Sequence, residues 1–193
     1  DNGEKEKWFS HTLNDCINLP GSMPEKLKGD EVTAKTQWTG SLYDSSYYYN
    51  PYMEKYRKEG NIKFPFFLTP DKHYVGAAWY QKEVNIPADW KGERILLFLE
   101  RPHIETTVWV NGQKTGMQNS LCVPHQYDIT RYVRPGKCTI TIRVDNRIKE
   151  INVGPDSHSI TDQTQGNWNG IVGRICLQTT PKTYFDDIQI YPE

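Results

Sequence analysis

The chain has 193 residues, of which 36% are hydrophobic, 12% aromatic and 24% charged, with a formal net charge of -1. That length fits one domain with room for a sound core. Near-neutral charge without a basic patch argues against nucleic acid as a partner, and no apolar run reaches the roughly 18 residues of a membrane-crossing helix.

The elements read as β-structure from end to end. Leu19-Pro20-Gly21-Ser22 breaks structure ahead of one short helical turn over Ser22 to Leu27. Thr33 to Tyr43 is a weak strand candidate. Residues 41–75 then form a long aromatic-rich loop, with Tyr43, Tyr47, Tyr48, Tyr49, Tyr52, Tyr56 and Phe64-Pro65-Phe66-Phe67, and a second helical turn from Pro51 to Glu59. Tyr47, Tyr48 and Tyr49 make either an aromatic platform for a sugar or partner, or a loop stapled to the domain by its own rings. Ala77 to Ile86 is a strand. Ile95-Leu96-Leu97-Phe98-Leu99 is apolar on both faces and reads as a central strand covered on both sides. Thr106 to Val110 runs into Asn111-Gly112, a hairpin signal. Pro135-Gly136 marks a turn before Cys138 to Asp145, where Cys138, Ile140, Ile142 and Val144 alternate with Thr139, Thr141, Arg143 and Asp145 as in a half-buried strand. A polar loop spans Lys149 to Asn169, Arg174 to Leu177 is strand-like, and Thr183 to Tyr191 is a last strand candidate. Short strands at regular spacing predict an all-β, antiparallel β-sandwich, one domain over 1–193.

Chemistry-bearing residues are sparse. Cys16, Cys122, Cys138 and Cys176 form no CxxC pair, and Cys138 and Cys176 read as small buried hydrophobes. His103, His125 and His158 lack metal-ligand spacing. No Gly-x-Ser-x-Gly elbow or EF-hand spacing occurs. No metal or cofactor is therefore expected. Asp145-Asn146-Arg147 predicts a structural ion pair at a strand end, and Asp128 a turn or cap. The richest segment is Gln165-Gly166-Asn167-Trp168-Asn169-Gly170-Ile171-Val172-Gly173. Its glycines permit positive φ and close approach, its Asn amides donate and accept, and its Trp offers an apolar face with a polar edge. That mixture suits a sugar ring, and it equally suits a Gly-rich loop whose Trp plugs the end of a sandwich.

This segment resembles the signature that closes the N-terminal sugar-binding domain of glycoside hydrolase family 2, the β-galactosidase and β-glucuronidase family. Further segments agree in order: Leu19 to Met23, Tyr74 to Tyr80, Leu99 to Thr106, Asn119 to Leu121, Pro124 to Thr130 and Val144 to Arg147. The resemblance covers nearly the whole chain and implies a jelly-roll, galactose-binding-like sandwich. It implies a non-catalytic piece, because the family's two catalytic glutamates sit on a (β/α)8 barrel of roughly 250 residues, beyond an immunoglobulin-like domain. Those two domains are the implied intramolecular partners, and a β-glycoside is the implied carbohydrate ligand. β-Galactosidase is the leading parent activity, with β-glucuronidase and β-mannosidase as rivals and an autonomous carbohydrate-binding module as the alternative. Asp162, His158, Asn167, Trp168 and Asn169 are the expected substrate-side residues. Asp162 is the nearest match to an acidic loop residue that reaches the barrel in some members, although its spacing departs by a residue or two. A start at Asp1 rather than Met, taken with the family, points to secretion or the periplasm.

Overall fold

The fold is that of a computed structural model, in which residues 1–40, 44–65, 67–149, 157–158, 161–162 and 166–192 are described. Among the described residues twelve strands follow the chain: β1 Gly21–Ser22, β2 Asp30–Glu31, β3 Lys72–His73, β4 Ala77–Ile86, β5 Arg94–Leu99, β6 Pro102–His103, β7 Glu105–Val110, β8 Gln113–Asn119, β9 His125–Asp128, β10 Gly136–Asp145, β11 Gly170–Ile171 and β12 Ile175–Thr180. A four-stranded sheet in the order β4-β10-β7-β8 faces a three-stranded sheet in the order β12-β5-β9. All pairings are antiparallel. The all-β sandwich expected from the strand spacing is what the chain forms.

The core lies between the two sheets. Ala78, Tyr80, Val108, Val110, Ile140, Ile142 and Val144 on one side meet Ile95, Leu97, Leu99 and Tyr127 on the other. The predicted β4 is reproduced over Ala77–Ile86, and β5 is central in its sheet with every residue from Ile95 to Leu99 buried. Asn111 adopts φ 49° and Gly112 φ 77° at the β7–β8 hairpin, the left-handed pair that a type I′ turn requires.

β10 departs from its predicted half-exposed character. Thr141, Arg143 and Asp145 on its outer face are as buried as the core positions. The N-terminal segment covers them: Phe9 stacks on Trp109 at 5.1 Å, Trp8 meets Trp79 edge-on at 6.1 Å, and Asp1 pairs with Arg143. An aromatic layer and a charge cluster thus seal a face that period-2 patterning assigns to water.

Two predicted strands are absent among the described residues. Residues 33–40 turn instead, because the Thr33 and Thr36 hydroxyls accept backbone N–H groups of Lys35 and Thr33 at 3.2 and 2.9 Å, a side-chain alternative to ladder bonds. Residues 41–43 of that stretch lie outside the described set. Thr183 to Tyr191 joins no ladder, and Phe185, Ile188, Ile190 and Tyr191 are strongly exposed. Within the 41–75 segment a short α-helix, Ser46–Tyr49, replaces open loop, and a 3-10 helix, Pro51–Tyr56, forms within the helical turn expected from Pro51 to Glu59.

Candidate functional site

The site residues gather at the sandwich end where β4 starts and β10 finishes. There β11 is gripped between two short strands, with Gly170 opposite His103 of β6 and Ser22 of β1. The backbones are close enough to need glycine: a Cβ on Gly170 would lie 2.4 Å from the Gly21 carbonyl oxygen. The same pinch fixes the flanking residues, since Met23 N–H donates to Asn169 O at 2.7 Å.

Asn169 is fully buried. Its Nδ2 donates to Gly76 O at 2.8 Å and Val144 O at 2.9 Å, and its Oδ1 accepts from the Tyr80 hydroxyl at 3.2 Å. It therefore ties the site segment to both β4 and β10, and those three bonds account for its amide. Asn167 is buried too, its Nδ2 donating to Thr39 Oγ1 at 3.0 Å and Asn146 O at 3.2 Å. Asp162 is 1% exposed. Its Oδ1 accepts from Asn167 N–H at 2.6 Å and its Oδ2 from Thr39 N–H at 2.6 Å, with His73 Nε2 4.0 Å away. A carboxylate held by two backbone donors and faced by an imidazole is a clamp between residues 38–39 and the site segment.

Three of the five expected substrate-side residues, Asp162, Asn167 and Asn169, therefore turn inward. Trp168 does not: it is half-buried and stacks on the His103 ring at 4.4 Å with 21° between the planes. His158 is exposed. Gln165 lies outside the described residues.

The supporting partners Thr39, His73, His103 and Asn146 carried no sequence signal as a set, being scattered over more than a hundred positions. Asn146 bridges the same corner, accepting from Gly76 N–H and donating to Tyr74 O. Among the described residues no group of His, Cys, Asp and Glu could hold a metal ion.

Burial pushes the His103 imidazole down to about 4, with the Asn167 amide pulling the other way. His103 is thus neutral at pH 7 and stacks as an uncharged ring. Its folded pKa lies below the unfolded value near 6.5, so the unfolded chain takes up the proton first. Stability contributed by the neutral ring is whole above pH of about 6.5 and drains away as pH falls toward 4. Urea midpoints should decline over that window, and His103→Gln should flatten the decline; an unchanged slope would refute the assignment.

The aromatic platform expected at Tyr47, Tyr48 and Tyr49 does not form as a unit. Tyr47 is 0% exposed, stacks on Phe64 at 4.6 Å and donates its hydroxyl to Tyr56 O at 2.8 Å. Tyr48 packs edge-on against it at 5.0 Å, and Tyr49 points to solvent at 72% exposure. Tyr47 and Phe64 pack the segment on itself, and Trp38 meets Phe64 edge-on at 4.9 Å from outside it.

The chain is thus an all-β sandwich whose one end is closed by a Gly-Asn-Trp-Asn-Gly segment. The family model for "Glycosyl hydrolases family 2, sugar binding domain" matches residues 7–181, and the chain belongs to that family. Human β-glucuronidase is 29% identical over 141 residues, covering 62% of this chain and 22% of that protein. The β-glucuronidase of Felis catus is 29% identical over 140 residues with the same coverage. Among solved structures, Ruminococcus gnavus β-glucuronidase aligns with a TM-score of 0.60 at 17% identity, covering 93% of this chain and 25% of that one. The likeness to that structure is one of fold. The chain spans about a fifth of the length of the curated relatives it matches.

Proposed function

We propose that this chain is the accessory, non-catalytic sugar-binding domain of a β-glucuronidase-type family 2 glycosidase, and that Trp168 is its substrate-side residue. The observation that carries the second part is the asymmetry of the site segment. The side chains of Asp162 and Asn169 are spent on internal bonds and Asn167 gives its Nδ2 to two internal acceptors, while the Trp168 ring is braced on His103 and left half-open. The relatives' names support β-glucuronidase as the parent activity over β-galactosidase, the leading expectation from sequence. The exposed Phe185, Ile188, Ile190 and Tyr191 supply apolar surface for contact with the rest of such a parent. Residence outside the cytoplasm remains part of the proposal.

The test uses the parent polypeptide. Hydrolysis of 4-nitrophenyl β-D-glucuronide should exceed that of the β-D-galactoside and β-D-mannoside; preference for the galactoside would restore the first expectation. Trp168→Ala should lower kcat/KM roughly tenfold, equal to about 1.4 kcal/mol of transition-state binding. An unchanged value with intact folding would leave Trp168 as a plug only.

A further inference from the structure

The far end of the sandwich carries an unassigned cavity. It has a volume of about 360 Å³. Trp90, Ile95 and Val133 line its floor, and Lys91, Arg134 and Lys182 line its rim together with one carboxylate, Glu93. The position follows from the strands. Trp90 ends the 3-10 turn after β4, Val133 and Arg134 lead into β10, and Lys182 follows β12. β10 runs from this end to the Trp168 end over ten residues, so the two sites are roughly 30 Å apart at about 3.3 Å per residue.

The chemistry of the lining is specific. The three cations are exposed and, among the described residues, none makes an ion pair. They outnumber the single carboxylate of the cavity, although the chain as a whole has a net charge of -1. Beneath them sits an apolar floor with one indole. A positive rim over an aromatic floor matches a ligand with an anionic edge and an apolar face. The volume lies near the lower end of small-ligand sites, about 300–1,000 Å³.

We propose that this cavity is a secondary binding site for one unit of an acidic polysaccharide, with its carboxylate or sulfate group on Lys91, Arg134 and Lys182 and its ring against Trp90. The site is separate from the Trp168 corner and would anchor the parent protein on a polymer.

Affinity electrophoresis of the parent polypeptide tests this, in gels containing polygalacturonate, chondroitin sulfate or neutral β-glucan at fixed salt. The expected result is retardation by an acidic polymer, none by the neutral one, and at least a threefold loss with Arg134→Glu/Lys182→Glu. The pair Lys35→Glu/Lys82→Glu makes the same change in charge away from the cavity and should keep the retardation. Retardation by polygalacturonate identifies a carboxylate as sufficient, and retardation confined to chondroitin sulfate identifies the sulfate. No retardation by either, or equal losses in both charge-reversed pairs, overturns the proposal. Because retardation is read without turnover, it stands or falls apart from the β-glucuronidase assignment.

Discussion

Replacing Gly170 with Ala is expected to lower stability by about 3–5 kcal/mol, the sum of an overpacked contact and a strained backbone. Gly170 has φ 152°, and a Cβ there would fall 2.4 Å from Gly21 O and 2.7 Å from Ser22 Cα. Both are backbone atoms of β1, so no side-chain rotation relieves the clash; either β1 or β11 must move. Movement of β11 would carry Asn169 away from Gly76 O and Val144 O and leave a buried amide unpaired. Gly60→Ala provides the comparison, because nothing lies within 4 Å of its built Cβ and only its φ of 78° resists. Urea unfolding should therefore separate the two variants by at least about 2 kcal/mol. Equal losses would mean that φ alone, rather than the pinch between β1 and β11, makes glycine necessary.

The parts of this fold legible in the sequence are those where local pattern and tertiary role agree. β4, β5 and the β7–β8 hairpin satisfy apolar patterning and turn chemistry together. The failures occur where a distant segment decides. Ile188 and Ile190 alternate as in a strand, but they join no ladder among the described residues, and Tyr184 instead sits under the Arg94 guanidinium at 4.1 Å. Tyr47 sits in a run of tyrosines that reads either as an exposed platform or as a staple, and only its distant partner Phe64 decides that it turns inside. At the site, the sequence marks the Gly-Asn-Trp-Asn-Gly segment because its glycines and amides are unusual in a row. It does not mark which amides turn inward, because three of their four acceptors are backbone carbonyls of residues 76, 144 and 146, which have no residue identity to read, and the fourth is the hydroxyl of distant Thr39. Asp162 shows the same limit, since its partners are N–H groups of Thr39 and Asn167.

Asp145→Ala should cost about 3–5 kcal/mol, the range for removing one member of a buried charge network. Asp145 is fully buried, and Arg143 Nη2, Arg147 Nη2 and Lys149 Nζ approach its Oδ2 at 2.7, 2.6 and 2.8 Å. Glu105 and Asp1 also hold Arg143, so its charge stays partly compensated, which favours the lower half of the range. Asp145→Asn distinguishes charge from shape: it keeps the volume but cannot balance three cations, and it should lose nearly as much. The pH dependence gives an independent reading. Burial alone would raise the Asp145 pKa, but hydrogen bonds from Arg147 and Lys149 outweigh it and hold the carboxyl well below its usual range. The unfolded chain therefore takes up this proton first as acid is added. The contribution of Asp145 is complete above the unfolded value of about 3.9 and is lost as pH falls through the lower folded value. The gap in stability between the unsubstituted chain and Asp145→Asn should thus be constant from pH of about 7 to 5 and shrink below about 4. A gap that ignored acid would show that Asp145 acts through the geometry of its hydrogen bonds and not through its charge.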